Sequence, residues 1–209
     1  MALTPTSQVL TPDVKNALAA GLPSFRSADR SMQNALLDAT HGFQVFTMGV
    51  PDVLPNGAGL KGATLSGWRI AVQMKGVAMA GDIYTMPRGG NQPTDRPRLA
   101  CVRQGDQIEA LLRTFAALTQ APLSSQLPTE PFNVHVLIMP GLFTDALWLE
   151  PQNPGSSQSY LVPYHTRVDG VHLERAYTEN ELIALLQPLA IKWKSYKRRP
   201  YVARRAAGR

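Results

Sequence analysis

Residues 68–85, WRIAVQMKGVAMAGDIYT, decide the fold class. Trp68, Ile70, Val72 and Met74 alternate with Arg69, Ala71 and Gln73, the two-residue period of a strand with one apolar face. Lys75-Gly76 suits a two-residue turn, and Val77 to Thr85 reads as the return strand. The register sets Met74 opposite Val77, Val72 opposite Met79 and Trp68 opposite Ile83. On the other face it sets Arg69 opposite Asp82 and Ala71 opposite Ala80. Slipping by one residue would bury the charges, so both faces specify the same pairing. As a cross-strand pair away from the apolar face, Arg69 and Asp82 are expected to contribute about 0.2–1 kcal/mol.

Downstream of the hairpin, residues 87–98 form a polar loop before a short strand at Leu99 to Arg103. Asp106 and Glu109 have capping-box spacing, and Ile108, Leu111, Leu112, Phe115 and Leu118 recur at helical intervals. Strands are predicted at Val134–Met139, Ala146–Leu149 and Ser159–Tyr164, with a turn at Asn153-Pro154-Gly155. A last helix begins at Thr178, where Glu181 completes a capping box and Tyr177 with Leu182 has hydrophobic-staple spacing. Its core face is Leu182, Ile183, Leu185, Leu186 and Leu189, and Pro188 limits or kinks it.

Upstream, Thr11 and Pro12 open a short helix on which Val14, Ala17 and Leu18 share a face, and Gly21 and Pro23 stop it. A second helix is predicted over about Ala28–Thr40, with Ser27 as N-cap and Met32, Ala35, Leu36 and Ala39 inward. Phe43–Met48 has strand character, and residues 50–66 read as a loop. Helices and strands follow one another without regular βα alternation. That order predicts an α+β fold, an antiparallel or mixed sheet with helices mainly on one face. The readings divide the chain into an N-terminal helical arm at 1–23, one α+β domain at 24–191 and a basic, flexible tail at 192–209.

The 209 residues are 44% hydrophobic and 17% charged, enough to bury a core and too apolar for general disorder. One cysteine, Cys101, excludes an intrachain disulfide framework. No apolar run spans a membrane and residues 1–10 lack a secretory signal pattern, so a cytoplasmic location is expected, with no transmembrane segment. The Ala/Arg-rich end fits a bacterial or phage source.

Charge distribution points to a partner. The net charge is +6, yet Lys192, Lys194, Lys197, Arg198, Arg199, Arg204, Arg205 and Arg209 all fall in the last eighteen residues, without an acid among them. Thirteen basic and fifteen acidic residues remain in 1–191. The body is near neutral, and the basicity belongs to one end. Eight cations attract a polyanion, and Trp193, Tyr196 and Tyr201 can stack on exposed bases. Nucleic acid, RNA or DNA without strong sequence specificity, is the expected polyanion. An anionic membrane or an acidic protein groove competes, and the α+β body offers a surface for a protein partner or self-association.

Catalytic patterns are weak. His165, Asp169, His172 and Glu174 supply metal-ligand types, but their spacing matches no helical His pair and Asp169-Gly170 reads more simply as a turn. Cys101 sits among Leu99, Ala100 and Val102 and reads as a small core hydrophobe rather than a nucleophile. Ser66 lacks a nucleophile elbow. His41 reads as a helix C-terminal residue, and His135 as packed or hydrogen-bonded in a strand. Arg88-Gly89-Gly90-Asn91 lacks the Gly-Lys-Ser/Thr of a phosphate loop. The sequence therefore predicts an interaction or accessory protein with no catalytic residue, metal or cofactor assigned. A small hydrolase with its site near 165–174, or an assembly component whose tail docks on another subunit, are the alternatives.

Overall fold

The computed structural model describes residues 4–6, 8–25, 30–74, 76–85, 97–153 and 158–197. Ser27, Lys75, most of the loop at 87–98 and residues 198–209 lie outside them. The described chain is one mixed α+β assembly. In chain order it runs through β1 (Thr4–Thr6), β2 (Gln8–Val9), α1 (Pro12–Gly21), α2 (Arg30–Asp38), β3 (His41–Thr47) and α3 (Val50–Val53). It continues through β4 (Thr64–Met74), β5 (Val77–Tyr84), β6 (Arg98–Gln104), α4 (Asp106–Ala117), β7 (Pro131–Met139) and β8 (Thr144–Pro151). The last elements are β9 (Tyr160–Thr166), β10 (Tyr177–Thr178) and α5 (Glu179–Lys197).

The main sheet has the order β10-β9-β8-β7-β3-β4-β5-β6. Two antiparallel meanders, β3–β6 and β7–β10, join at the parallel pair β3/β7. A parallel neighbour needs a crossover, and α4 supplies it by returning the chain from the β6 edge to the sheet centre. The β4/β5 register is the one read from alternation, from Met74↔Val77 through Arg69↔Asp82.

Three of the longer helices share one face. Leu10, Val14, Leu18, Leu22 and Leu36 from the α1–α2 region bury Trp68, Ile70, Met79 and Ile83. Leu182, Leu186 and Ala190 of α5 bury Met48, Leu137, Met139 and Leu161. On the opposite face α4 is the one α-helix among the described residues, setting Leu111 and Phe115 against Phe43, Val45, Val134, Val136 and Tyr164, and Ile108 against Ala78 and Ala80.

The sheet curls around α4. Tyr164 on β9 and Arg69 on β4 are four strand steps apart, about 19 Å across a flat sheet at about 4.8 Å per step. Their side chains nonetheless meet at 3.2 Å. Curvature brings the two meanders together over the small residues Ala71, Ala78 and Ala80, which leave room for the helix.

Four local readings differ from the structure. The described residues among the first 23 are integral to the body rather than an arm: β1 pairs with β7, β2 pairs with β3, and α1 is seated on the sheet. The segment 50–66 holds α3, a 3-10 turn at Gly59–Gly62 and the start of β4. The N-cap of α4 is Gly105, at φ 101°, so Asp106 is already helical and the Asp106/Glu109 capping box does not form. Finally, α5 passes through Pro188 and reaches Lys197, making residues 192–197 helix rather than the start of a tail. Its N-terminus is as read: Thr178 N–H donates to Glu181 Oε2 at 2.8 Å and Glu181 N–H to Thr178 Oγ1 at 3.3 Å.

Candidate functional site

Beyond the buried Ala190, α5 carries an exposed stretch past the core. Ile191, Lys192, Trp193, Lys194 and Ser195 are all exposed, Ile191 by 50% and Trp193 by 36%. Leu189, Lys192 and Trp193 fall on one side at i, i+3 and i+4. They face Phe143, a residue 43% exposed, whose ring centroid stands 6.3 Å from that of Trp193 at a tilt of 42°. Phe143, Leu189, Lys192 and Trp193 line an apolar groove of about 530 Å³. Across the helix, Leu54, Pro55, Ile191, Lys194 and Ser195 line a second groove of about 430 Å³.

Phe143 is presented by an uncommon backbone. Its φ of 50° and ψ of 37° are left-handed, costing a residue with a Cβ about 1–2 kcal/mol. The turn Pro140–Leu142 places it there: Phe143 N–H donates to Pro140 O at 3.3 Å, and Arg167 N–H donates to Phe143 O at 3.1 Å. The sequence reading missed Phe143 altogether. No periodicity marks it, because it lies between β7 and β8 and meets α5 only in three dimensions.

Of the residues expected to bind a polyanion, Lys192, Trp193 and Lys194 are exposed together at this helix end. Tyr196 and Lys197 continue the helix backbone. Arg198, Arg199, Tyr201, Arg204 and Arg205 lie outside the described residues.

A second cluster lies under α4. Arg69, 2% exposed, grips Asp82, 3% exposed, through Nε to Oδ1 at 2.7 Å and Nη2 to Oδ2 at 2.9 Å. Its Nη1 donates to Tyr164 Oη at 3.2 Å. Arg103 Nε donates to the same Asp82 Oδ2 at 2.6 Å, and Cys101 Sγ lies 3.6 Å from it. Gln107, near the start of α4, donates to Asp145 Oδ2, and His165 Nδ1 stands 3.9 Å from that oxygen.

The charge states follow from these neighbours. Burial alone would raise the Asp82 pKa, but the Arg69 and Arg103 guanidiniums outweigh it and hold the carboxyl below its ordinary value. Arg69, penalised by burial, is nevertheless held firmly protonated by its bonds to Asp82. Asp145 is raised by burial despite the opposing influence of Arg69 and His165. Burial also raises Tyr164 and, with Asp82, Cys101. The network thus clamps β4, β5, β6 and β9 together and keeps Cys101 a thiol. The expected exposed hairpin pair is instead a buried ion pair, because the face carrying it is covered by α4 and the curled sheet.

The loop at 165–174 does not converge. Glu174 pairs with Arg113 at 2.9 Å, and His172 donates its backbone N–H to Tyr177 Oη at 2.9 Å. Among the described residues, no group of three or more His, Cys, Asp or Glu is placed to hold a metal ion. No hydroxyl or thiol is hydrogen-bonded to the His165 ring among them either. His135, in β7, shares a hydrogen bond with Glu150 at 3.1 Å between the rings of Phe46 and Trp148. His41 opens β3 rather than ending a helix, its Nδ1 2.8 Å from Thr40 Oγ1. No described helix is long and apolar enough to cross a membrane. The chain matches no protein-family model, no curated protein and no solved structure.

Proposed function

We infer that this is an interaction protein whose C-terminal segment engages a polyanion, with nucleic acid as the partner and little base specificity. The observation that carries the reading is the end of α5, where Lys192, Trp193 and Lys194 are exposed at the point from which the basic run continues to Arg209. Cations and an exposed aromatic on one element match the two requirements of sequence-tolerant single-strand binding, phosphate neutralisation and base stacking. The near-neutral body seats α5 on the sheet through Leu182, Leu186 and Ala190. A cytoplasmic setting belongs to this reading.

The test is fluorescence-anisotropy titration of mixed-sequence RNA and DNA oligonucleotides over a salt series, comparing the full chain with an Arg198→Glu/Arg199→Glu variant. With five cations on single-stranded phosphates, log affinity falls with log salt at a slope of about −3.5. The double variant is expected to weaken binding strongly while its thermal unfolding stays unchanged. Retention equal to the parent at physiological salt would refute the reading.

A small hydrolase draws on one observation, the approach of His165 to the buried Asp145 carboxylate. That alternative requires an ester or phosphoester hydrolysis that His165→Gln abolishes, and a broad substrate panel with no such activity would dismiss it.

A further inference from the structure

Resting on the polyanion reading, we propose that Phe143 and Trp193 form a base-stacking wedge, making the ligand single-stranded nucleic acid rather than duplex. A base occupies about 3.4 Å of stacking height on each face, so a base held between two rings needs them about 7 Å apart. The ring centroids stand 6.3 Å apart with their planes inclined by 42°, and admitting a base requires the exposed side chains to rotate until the planes align. The pair is tilted rather than stacked, and each residue leaves a third or more of its surface to solvent. Leu189 forms the apolar floor and Lys192 the cationic rim of the same groove, so a base can enter while its phosphate remains beside the ammonium.

The backbone at Phe143 supports a binding role over a packing one. A left-handed conformation costs stability in a residue with a side chain, and here it holds an aromatic ring half in water rather than in the core. Charge complementarity selects the occupant. Lys192 lines the groove, Lys194 is exposed on the other side of the same helix turn, and the sequence continues with further cations from Lys197 to Arg209. Duplex cannot use the wedge, because its bases are already stacked and only its phosphates reach the cations.

The experiment measures binding of the full chain to a 12-nucleotide single strand, the matching duplex, heparin and vesicles containing anionic lipid. The same panel is run on Phe143→Asn and Trp193→Leu. Asparagine tolerates left-handed φ and leucine keeps the helix face apolar, so both variants are expected to fold, as thermal unfolding checks. The parent should prefer single strand to duplex by about tenfold or more, and each variant should weaken single-strand binding by about tenfold. Heparin, a polyanion without bases, should bind all three proteins within twofold. Binding should also quench a tryptophan signal that Trp193→Leu lacks. Equal affinity for single strand and duplex, unchanged by either variant, would overturn the wedge while leaving the polyanion reading intact. Loss of vesicle binding in the variants without any single-strand preference would assign the groove to lipid and overturn it too. Failure of the parent to bind heparin or any nucleic acid would remove both.

Discussion

Replacing Asp82 by asparagine should be far more damaging than a hairpin pair on a solvated face would suggest. The carboxylate accepts two bonds from Arg69 and one from Arg103, and Arg69 has almost no access to water. Asparagine keeps the shape but leaves the Arg69 charge buried without a counter-ion, a situation that costs about 3–5 kcal/mol. At about 2.5 kcal/mol per molar urea, a slope suited to a chain of this size, the unfolding midpoint drops by about 1.5 M. The triple variant Arg69→Met/Asp82→Leu/Tyr164→Phe removes the charge, its partner and the phenol together. It should recover most of that loss, because a buried ion pair and an apolar replacement of similar volume are often close in stability. Urea denaturation followed by circular dichroism measures all three proteins. The pH dependence supplies a second reading of the same clamp. The folded pKa of Asp82 is depressed, so its contribution is present above the unfolded carboxylate value and is lost as pH falls through the folded value. The parent should therefore lose stability in acid more steeply than the triple variant. A midpoint shift under about 0.4 M for Asp82→Asn, equal to the roughly 1 kcal/mol of an exposed cross-strand pair, would refute the clamp.

Asp145 has the opposite sign. Its folded pKa is raised, so stability is fully present below the unfolded value and declines as pH rises through the folded one. Asp145→Asn should flatten that decline and leave neutral-pH stability equal or higher, as thermal melts across pH 4–8 would record; a steeper decline would count against it. Gly67→Ala should destabilise by about 1–3 kcal/mol, since the added Cβ would lie 1.9 Å from the Ile83 carbonyl oxygen, a backbone atom that cannot swing aside. Denaturant unfolding tests this, and a neutral result would mean that β4 and β5 separate easily there. Cys101 should react with a thiol reagent at neutral pH more slowly than a free thiol, because burial and Asp82 keep it protonated. Stoichiometric modification within the mixing time would contradict that environment.

The pairing of β4 with β5 was legible in the sequence residue for residue, because alternation and a two-residue turn are local and satisfy one register only. So were the apolar stripe of α4 and the capped start of α5, whose signals lie within a few residues of each other. The sequence's chief hint about the second hairpin face was chemical. Ala71, Ala78 and Ala80 are small and apolar where a wet face would carry polar side chains, yet Arg69 and Asp82 in the same rows read as solvated. That α4 covers that face, that β9 curls round to bring Tyr164 onto Arg69, and that β1 and β2 join the sheet with α1 packed on it follow from long-range packing alone. The C-terminal surface divides in the same way. The cations and Trp193 are legible as a run of residues, whereas Phe143 enters only because the turn after β7 points its ring at a helix beginning 36 residues later. Local patterns record what each element can do, and coverage of a face depends on which distant element arrives there.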